Sequence, residues 1–317
     1  MGSLPIGGAV LDKIGRLWQR LAQVFSSRDL FEAALVAISF LAYFGVRGLV
    51  IDRPERAYWH ARDLIELQRK LGIFWEYELQ KRLLDNIFII QSLNIIYFWL
   101  HFPLIIAFGI WCYYNRRYKY TVLRDAFLAS GAISLIIYWL YPVAPPRLLP
   151  ELAQRFEPAA PIYVRGFVDT MQVYLGYAYQ TQETRAFVNP YAAMPSLHFG
   201  WDMLLGIGII WAFWGSRLIW LAVPIGVFLP FSQVIAISIT ANHFFMDALA
   251  GAAVSLVGLG IAWALQRWFY PRLALWGQHI SWPAMRRLLL SMGTDPHPRG
   301  GKKVPGPKAS STAGEQR

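Results

Sequence analysis

The sequence predicts an all-α protein: an integral membrane bundle of six transmembrane helices with interfacial amphipathic helices. Three observations predict it. Only 15% of its 317 residues are charged, against about 25% in an ordinary soluble domain. Six apolar segments run for most or all of a membrane width, where about 20 residues cross the hydrocarbon core. Basic residues collect in alternate loops and in the tails, as they do on the cytoplasmic side of membrane proteins.

The elements follow in order. Leu11–Phe25 puts Leu11, Ile14, Leu17, Trp18, Leu21, Val24 and Phe25 on one helical face, with Lys13, Arg16, Arg20 and Gln23 opposite. That is a basic amphipathic helix, lying on the membrane or packed on other helices, and residues 1–30 form a cytoplasmic segment. Met1–Val10 lacks the basic start and apolar core of a cleavable signal peptide. Phe31–Ile51 is the first span; Glu32 and Arg47 near its ends can reach the interface. Asp52–Asn86 is charged and aromatic and is interrupted at Gly72. It reads as two short interfacial helices, one striped by Ala61, Leu64, Ile65 and Leu71, the other by Phe74, Trp75, Leu79 and Leu83.

Ile87–Tyr114 is the second span, with Gln91, Asn94, Tyr97 and His101 as a polar line at helical spacing. Ala126–Tyr141 is the third, stopped by Pro142, Pro145 and Pro146. Val143–Pro195 is a long polar loop whose aromatics favour order. Phe199–Trp214, begun at Pro195, is the fourth span. Leu218–Ile239, with Pro224 and Pro230 as kinks, is the fifth, and Phe244–Trp268 the sixth. The membrane domain thus occupies 31–270. A basic tail fills 271–317, Gly/Pro/Ser/Lys-rich and disordered from Gly293.

Six spans place both termini on one side. Lys13, Arg16, Arg20 and Arg28, then Arg116, Arg117 and Lys119, then Arg217, then Arg267 and Arg272 share that side by parity, which makes it cytoplasmic. The net charge of +11 therefore reads as affinity for anionic headgroups, not for nucleic acid. A single cysteine, Cys112, excludes an intrachain disulfide.

Two polar stretches meet apolar segments at the outward face: Asn189 to His198 and Thr240 to Asp247. His243 and Asp247 are four apart on a predicted helix and share its face. A carboxylate beside an imidazole fixes its tautomer and supports the charge it gains on reacting, which suits a nucleophile. Pro195 fits a first helical turn, leaving Ser196 and neighbouring N–H groups at a helix N-terminus able to hold phosphate. His198 beside that anion suits a general acid. Arg147 offers a fork for phosphate oxygens or an anchor to headgroups. Tyr97, His101 and Asn189 are further candidates to contact substrate, although His101 with Tyr97 and Asn94 suits interhelical hydrogen bonding better than catalysis. Gly251 and Ser255 continue the Asp247 face and read as a close helix contact.

Those residues resemble the type 2 phosphatidic acid phosphatase superfamily, and within it the branch containing fungal inositol phosphorylceramide synthase. Pro195-Ser196-Leu197-His198 is similar to the superfamily's Pro-Ser-x-His motif. His243 to Asp247 is similar to its His-x-x-x-Asp motif, and Ala193–His198 reads as in the synthase branch. The likeness covers Phe31 to Trp268. It implies a metal-free lipid phosphatase or phosphotransferase with no cofactor, acting on a lipid phosphate or phospholipid headgroup. His243 would form a phosphohistidine, Asp247 would activate it, His198 would protonate the leaving group and Ser196 would touch phosphate. Two family cations are missing: Ile237 stands where an Arg is usual, and Leu140 where a Lys is usual. Their loss favours the synthase branch and leaves Arg147, Arg47, Arg155 and Arg165 to neutralise phosphate. The competing expectations are a haem- or metal-binding membrane protein using His101, His198 and His243, and a small transporter with the polar line as its path. A soluble haloperoxidase would share the motifs without the spans.

Overall fold

A computed structural model describes residues 27–49, 53–175 and 190–279. The amphipathic segment expected at Leu11–Phe25 and the expected disordered tail lie outside the described residues. All regular elements among those described are helical. The one extended contact is a parallel bridge between Val143 and Ala192.

The interfacial pair forms as its residues dictate. Helix α1 spans Ser27–Leu49, α2 Pro54–Lys70 and α3 Glu76–Leu83. Pro54 opens α2, where its missing N–H costs nothing. Gly72 ends it with φ +71°: Ile73 N donates to Gln68 O (2.9 Å) and Gly72 N to Arg69 O (3.1 Å), the bond pair of a left-handed helix stop. Ala61, Leu64 and Ile65 are buried as expected, against Leu149, Leu152, Val164 and Phe244. The second stripe differs from expectation. Trp75 and Leu79 are exposed, as is Leu71 of the first stripe, while α3 buries Glu76 and Gln80. Those two polar side chains face inward because unpaired backbone groups wait there: Gln80 Nε2 donates to Val168 O and to Ile239 O, each at 3.0 Å.

Next come α4 (Ile87–Ile95), a π-helical turn (Ile96–Leu100) and α5 (His101–Asn115), in unbroken succession. Helix α6 spans Arg117–Leu140, starting well before the expected Ala126. The charged residues of its first turns lower hydropathy without breaking helix propensity. The part of the long loop among the described residues forms a 3-10 turn at Pro146–Leu148 and three short helices: α7 (Leu149–Phe156), α8 (Ile162–Arg165) and α9 (Thr170–Leu175). Helix α10 spans Leu197–Phe213 and α11 spans Ile219–Ile239. Helix α12 (Phe245–Ala264) runs through a second π turn, Leu265–Phe269, into α13 (Tyr270–Gly277).

Three stretches are long and apolar enough to cross a membrane: Arg117–Leu140, Ile219–Ile239 and Phe245–Trp276. Helix α10 is apolar but has only 17 residues. The sequence predicts six spans, so among the described residues half that number meets the requirement by length and composition alone.

Small residues bring the central helices together. Helix α10 packs on α11, α12 and α6, and α12 packs on α6. A Cβ on Gly206 of α10 would stand 2.0 Å from Gly226 O of α11. One on Gly251 of α12 would stand 2.0 Å from Ser196 O. Lys119 Nζ donates to Trp211 O and Arg116 Nε donates to Ala212 O (3.4 Å), so the basic turn before α6 meets the C-terminal end of α10. The start of α10, with His198, lies at the opposite end beside the end of α6.

Candidate active site

The His243 loop is a helix stop with a demanding geometry. Helix α11 ends as Asn242 N donates to Ile237 O (2.9 Å) and Ala241 N to Ser238 O (3.2 Å), the same bond pair as at Gly72. Here the left-handed position is held by Ala241, with φ +56°, which costs a non-glycine residue about 1 kcal/mol or more. Surrounding bonds hold it there: Arg147 N donates to Ala241 O (2.9 Å), and His243 N donates to Ile237 O (3.1 Å). Ile237 is fully buried and serves through its carbonyl, which accepts from both Asn242 N and His243 N.

The start of α12 is capped by its own Asp247 and by side chains of α2 and α3. Asp247 Oδ2 accepts from Phe244 N (2.8 Å), Glu76 Oε1 from Phe245 N (2.6 Å) and Gln68 Oε1 from Met246 N (2.9 Å). Gln68 Nε2 also donates to Glu76 Oε1 (2.7 Å). The N–H groups that a helix start leaves unpaired are thus taken by α2 and α3. Burial pushes the Glu76 carboxyl above its ordinary value, against the pull of the Phe245 N–H.

The second motif is tied to the same place. Val143 N donates to Tyr191 O (2.8 Å), Ala193 N to Val143 O (3.2 Å), and Tyr138 Oη to Pro195 O (2.8 Å). Ser196 N donates to Asp247 O (2.8 Å), across the contact that Gly251 permits. Gly200 makes the matching approach to Ser255 and Gly251, as expected of that small-residue face. Pro195 differs from expectation: it lies one residue before the N-cap. Ser196 is the cap, its hydroxyl accepting from Phe199 N (3.5 Å), and it is fully buried.

These ties bring the two histidines together. The His198 and His243 ring centroids are 5.6 Å apart, and Tyr97 lies 4.4 Å from His198 and 6.3 Å from His243. His243 Nδ1 is 2.8 Å from Ala193 O and 3.6 Å from Asp247 Oδ2. A carbonyl oxygen only accepts, so Nδ1 carries a hydrogen, and in the neutral ring the lone pair is then on Nε2. The backbone carbonyl, not Asp247, is the nearer acceptor. Asp247 adds a carboxylate behind the ring while bracing the helix start.

The cleft they line has a volume of about 660 Å³ including its open mouth. Tyr97, His101, Arg147, His198 and His243 all line it, with Asn242 beside them. Arg147 Nη1 pairs with Asp169 Oδ2 at 2.7 Å. Of the four proposed cations, Arg147 alone is in the cleft among the described residues. Arg155 and Arg165 are exposed on the loop helices. The Arg47 side chain and Asn189 lie outside the described residues. The polar line divides: Asn94 hydrogen-bonds Thr170, its Nδ2 donating to Thr170 O (3.2 Å), while Tyr97 and His101 turn into the cleft. Sequence reasoning missed Asp202, whose Oδ1 is 2.7 Å from His101 Nδ1. Its signal was available: a carboxylate in an apolar helix four residues after His198 repeats the spacing of His243 and Asp247. Glu76 and Gln68 carried no such signal, since their partners lie about 170 residues away along the chain. No group of three or more His, Cys, Asp or Glu residues is arranged to hold a metal ion among the described residues.

A family model described as the PAP2 superfamily matches residues 62–261, more than half of the chain and all of the cleft's histidines. The chain belongs to the PAP2 superfamily. Membership points to phosphatase-type chemistry on lipid phosphate, and the apolar helices suit a membrane-embedded member of it. No curated protein and no solved structure matches the chain.

Proposed function

We propose that this protein is a membrane lipid phosphatase or phosphotransferase that works through a phosphohistidine on His243. The observation that carries the reading is the meeting of His198 and His243, 5.6 Å between ring centroids, in one cleft with Asp247 behind the second ring. His243 Nε2 attacks phosphorus as the bond to the leaving oxygen breaks. His198 gives that oxygen its proton. The phosphorylated ring gains positive charge, which Ala193 O and Asp247 offset. In the return step an acceptor hydroxyl gives its proton to His198 and attacks phosphorus, and the P–N bond breaks. Arg147 is the cation for the phosphate oxygens, and Ser196 acts on the anion through the helix start that it caps.

Water as acceptor makes a phosphatase; an inositol hydroxyl makes an inositol phosphotransferase. The Ala193–His198 wording and the missing cations at Leu140 and Ile237 support the synthase branch. The positive-inside distribution supports a cleft facing outward from the cytoplasmic membrane, with both termini inside. The test is a panel of phospholipids, polyprenyl phosphates and sphingolipids, with and without inositol, on protein reconstituted in bilayers. His243→Ala, His198→Ala and Asp247→Asn each abolish phosphate release or transfer while insertion persists, and chelators leave the wild type active. Retention of most activity by His243→Ala overturns the nucleophile assignment.

A further inference from the structure

His101, in the cleft wall, belongs to a second imidazole–carboxylate pair that the reaction above does not use. His101 opens α5 just after the π turn. Asp202 lies on α10, four residues beyond His198. His101 Nδ1 and Asp202 Oδ1 are 2.7 Å apart, and the residues are 2% and 4% exposed. A carboxylate in the interior of an apolar bundle is costly unless it is paired, so its placement here needs a reason. The His101 ring stands 5.1 Å from the His198 ring, centroid to centroid, at 40°. The His101 ring is also near-parallel to Trp201, with centroids 6.3 Å apart.

The arrangement is therefore a row: Asp202, His101, His198, then His243 and Asp247. His243 has a carboxylate directly behind it. The carboxylate that helical spacing offers to His198 is instead bonded to His101. We infer that His101 and Asp202 are a positioning pair for His198, holding its ring toward the leaving oxygen and favouring its protonated form through the buried negative charge. The inference rests on the reading of His198 as the proton donor. No atom leaves or joins the pair in a turnover. The proton that reaches the leaving oxygen comes from His198, and the acceptor hydroxyl returns it.

A purely structural role, tying α5 to α10, makes a different prediction. Loss of that tie would lower stability and damage all turnover alike. Loss of a positioning pair damages only what depends on the proton of His198. The other titratable groups around His198 are Tyr43 of α1, Tyr97 of the π turn, Tyr138 of α6, Arg147 of the 3-10 turn and His243. None of them changes in the variants below.

The experiment has two readouts on full-length protein in nanodiscs. In the first, ¹³C-labelled histidine is followed by NMR against pH, with His198→Gln used to assign the His198 signal. Asp202→Asn removes the buried negative charge and moves the His198 midpoint downward by about one unit or more, a tenfold change in its proton affinity; His101→Gln keeps that charge and is read in the second assay. An unmoved midpoint overturns the inference, whatever the stability. In the second, the first half-reaction is followed before steady state: release of diacylglycerol from phosphatidic acid and phosphatidylinositol vesicles, whose alkoxide leaving groups need a proton, is compared with the burst of 4-nitrophenol from 4-nitrophenyl phosphate, whose leaving group does not. Both variants lose about 10²-fold or more on whichever vesicle the wild type cleaves, within the usual reach of general-acid catalysis, and stay within about threefold on the nitrophenyl ester. Equal losses on both overturn the inference. The NMR readout needs no turnover, so a failed phosphohistidine reading, seen as an active His243→Ala, is distinguishable from a failed positioning pair.

Discussion

Replacing Gly251 by alanine tests whether one helix contact holds the two motifs in register. The new Cβ would meet Ser196 O at 2.0 Å, Ser196 C at 2.9 Å and Ser196 N at 3.3 Å. All three are backbone atoms, so no side chain can swing aside. Reaching even a tight contact of about 3 Å requires α12 and the Ser196 turn to part by about 1 Å, since core packing tolerates no less. The Ser196 N to Asp247 O bond, 2.8 Å at rest, would stretch to about 3.8 Å and cease to be a hydrogen bond. Overpacking costs about 1–3 kcal/mol, and the orphaned N–H about 1–3 kcal/mol more. The helix propensity of alanine returns about 1 kcal/mol. His198 follows Ser196 by two residues, and a misplacement of about 1 Å can cost about 10²-fold in rate. Gly260→Ala is the control: it lies on the same helix with nothing within 4 Å of the new Cβ. The assay is the initial rate of phosphate release from lipid phosphate in nanodiscs, normalised to inserted protein, with thermal unfolding alongside. Gly251→Ala falls about 10²-fold in rate and unfolds at a lower temperature, whereas Gly260→Ala matches the wild type. A Gly251→Ala rate within about threefold of the control would falsify the idea that this contact sets the histidine separation.

Other perturbations have equally definite outcomes. Glu76→Gln keeps an oxygen for Phe245 N and removes the charge that burial penalises, so it retains activity, whereas Glu76→Ala orphans that N–H and loses about 1–3 kcal/mol. Because the folded Glu76 carboxyl is raised, its favourable contribution is complete below the ordinary glutamate value and falls as pH rises through the raised one. Urea unfolding across pH should therefore show Glu76→Gln gaining on the wild type toward neutral pH. Glu157 behaves oppositely. Burial works against its charge, but Tyr58 and Arg62, at 2.6 and 2.9 Å, hold its carboxyl below the usual range. The contribution is present above the ordinary carboxylate value and lost as pH falls through the depressed one, so Glu157→Gln costs about 1–3 kcal/mol at neutral pH and little in strong acid. Arg147→Ala raises KM for lipid phosphate by about tenfold or more, the loss of a charge-assisted bond, and a KM unchanged within twofold excludes Arg147 as the phosphate cation.

Much of this protein is local, and local features are legible in a linear chain. Apolar runs of membrane length could become helices and little else, because a buried backbone must satisfy itself. Gly72 marked the break between α2 and α3 because it accepts a left-handed backbone without strain. His243 and Asp247 had to share a face because a helix repeats every 3.6 residues, and Gly251 with Ser255 extended that face as a packing surface. What depends on distant partners was not legible. Composition could not say that Ala193 O would approach His243 more closely than Asp247 does, since a backbone carbonyl has no signature in the sequence. The inward turn of Glu76 and Gln80, the exposure of Trp75 and the pairing of His101 with Asp202 came from helices brought side by side in the bundle, α3 against α11 and α12, and α5 against α10. A residue's type sets which bonds it can make; only the packed bundle decides which of them lie within reach.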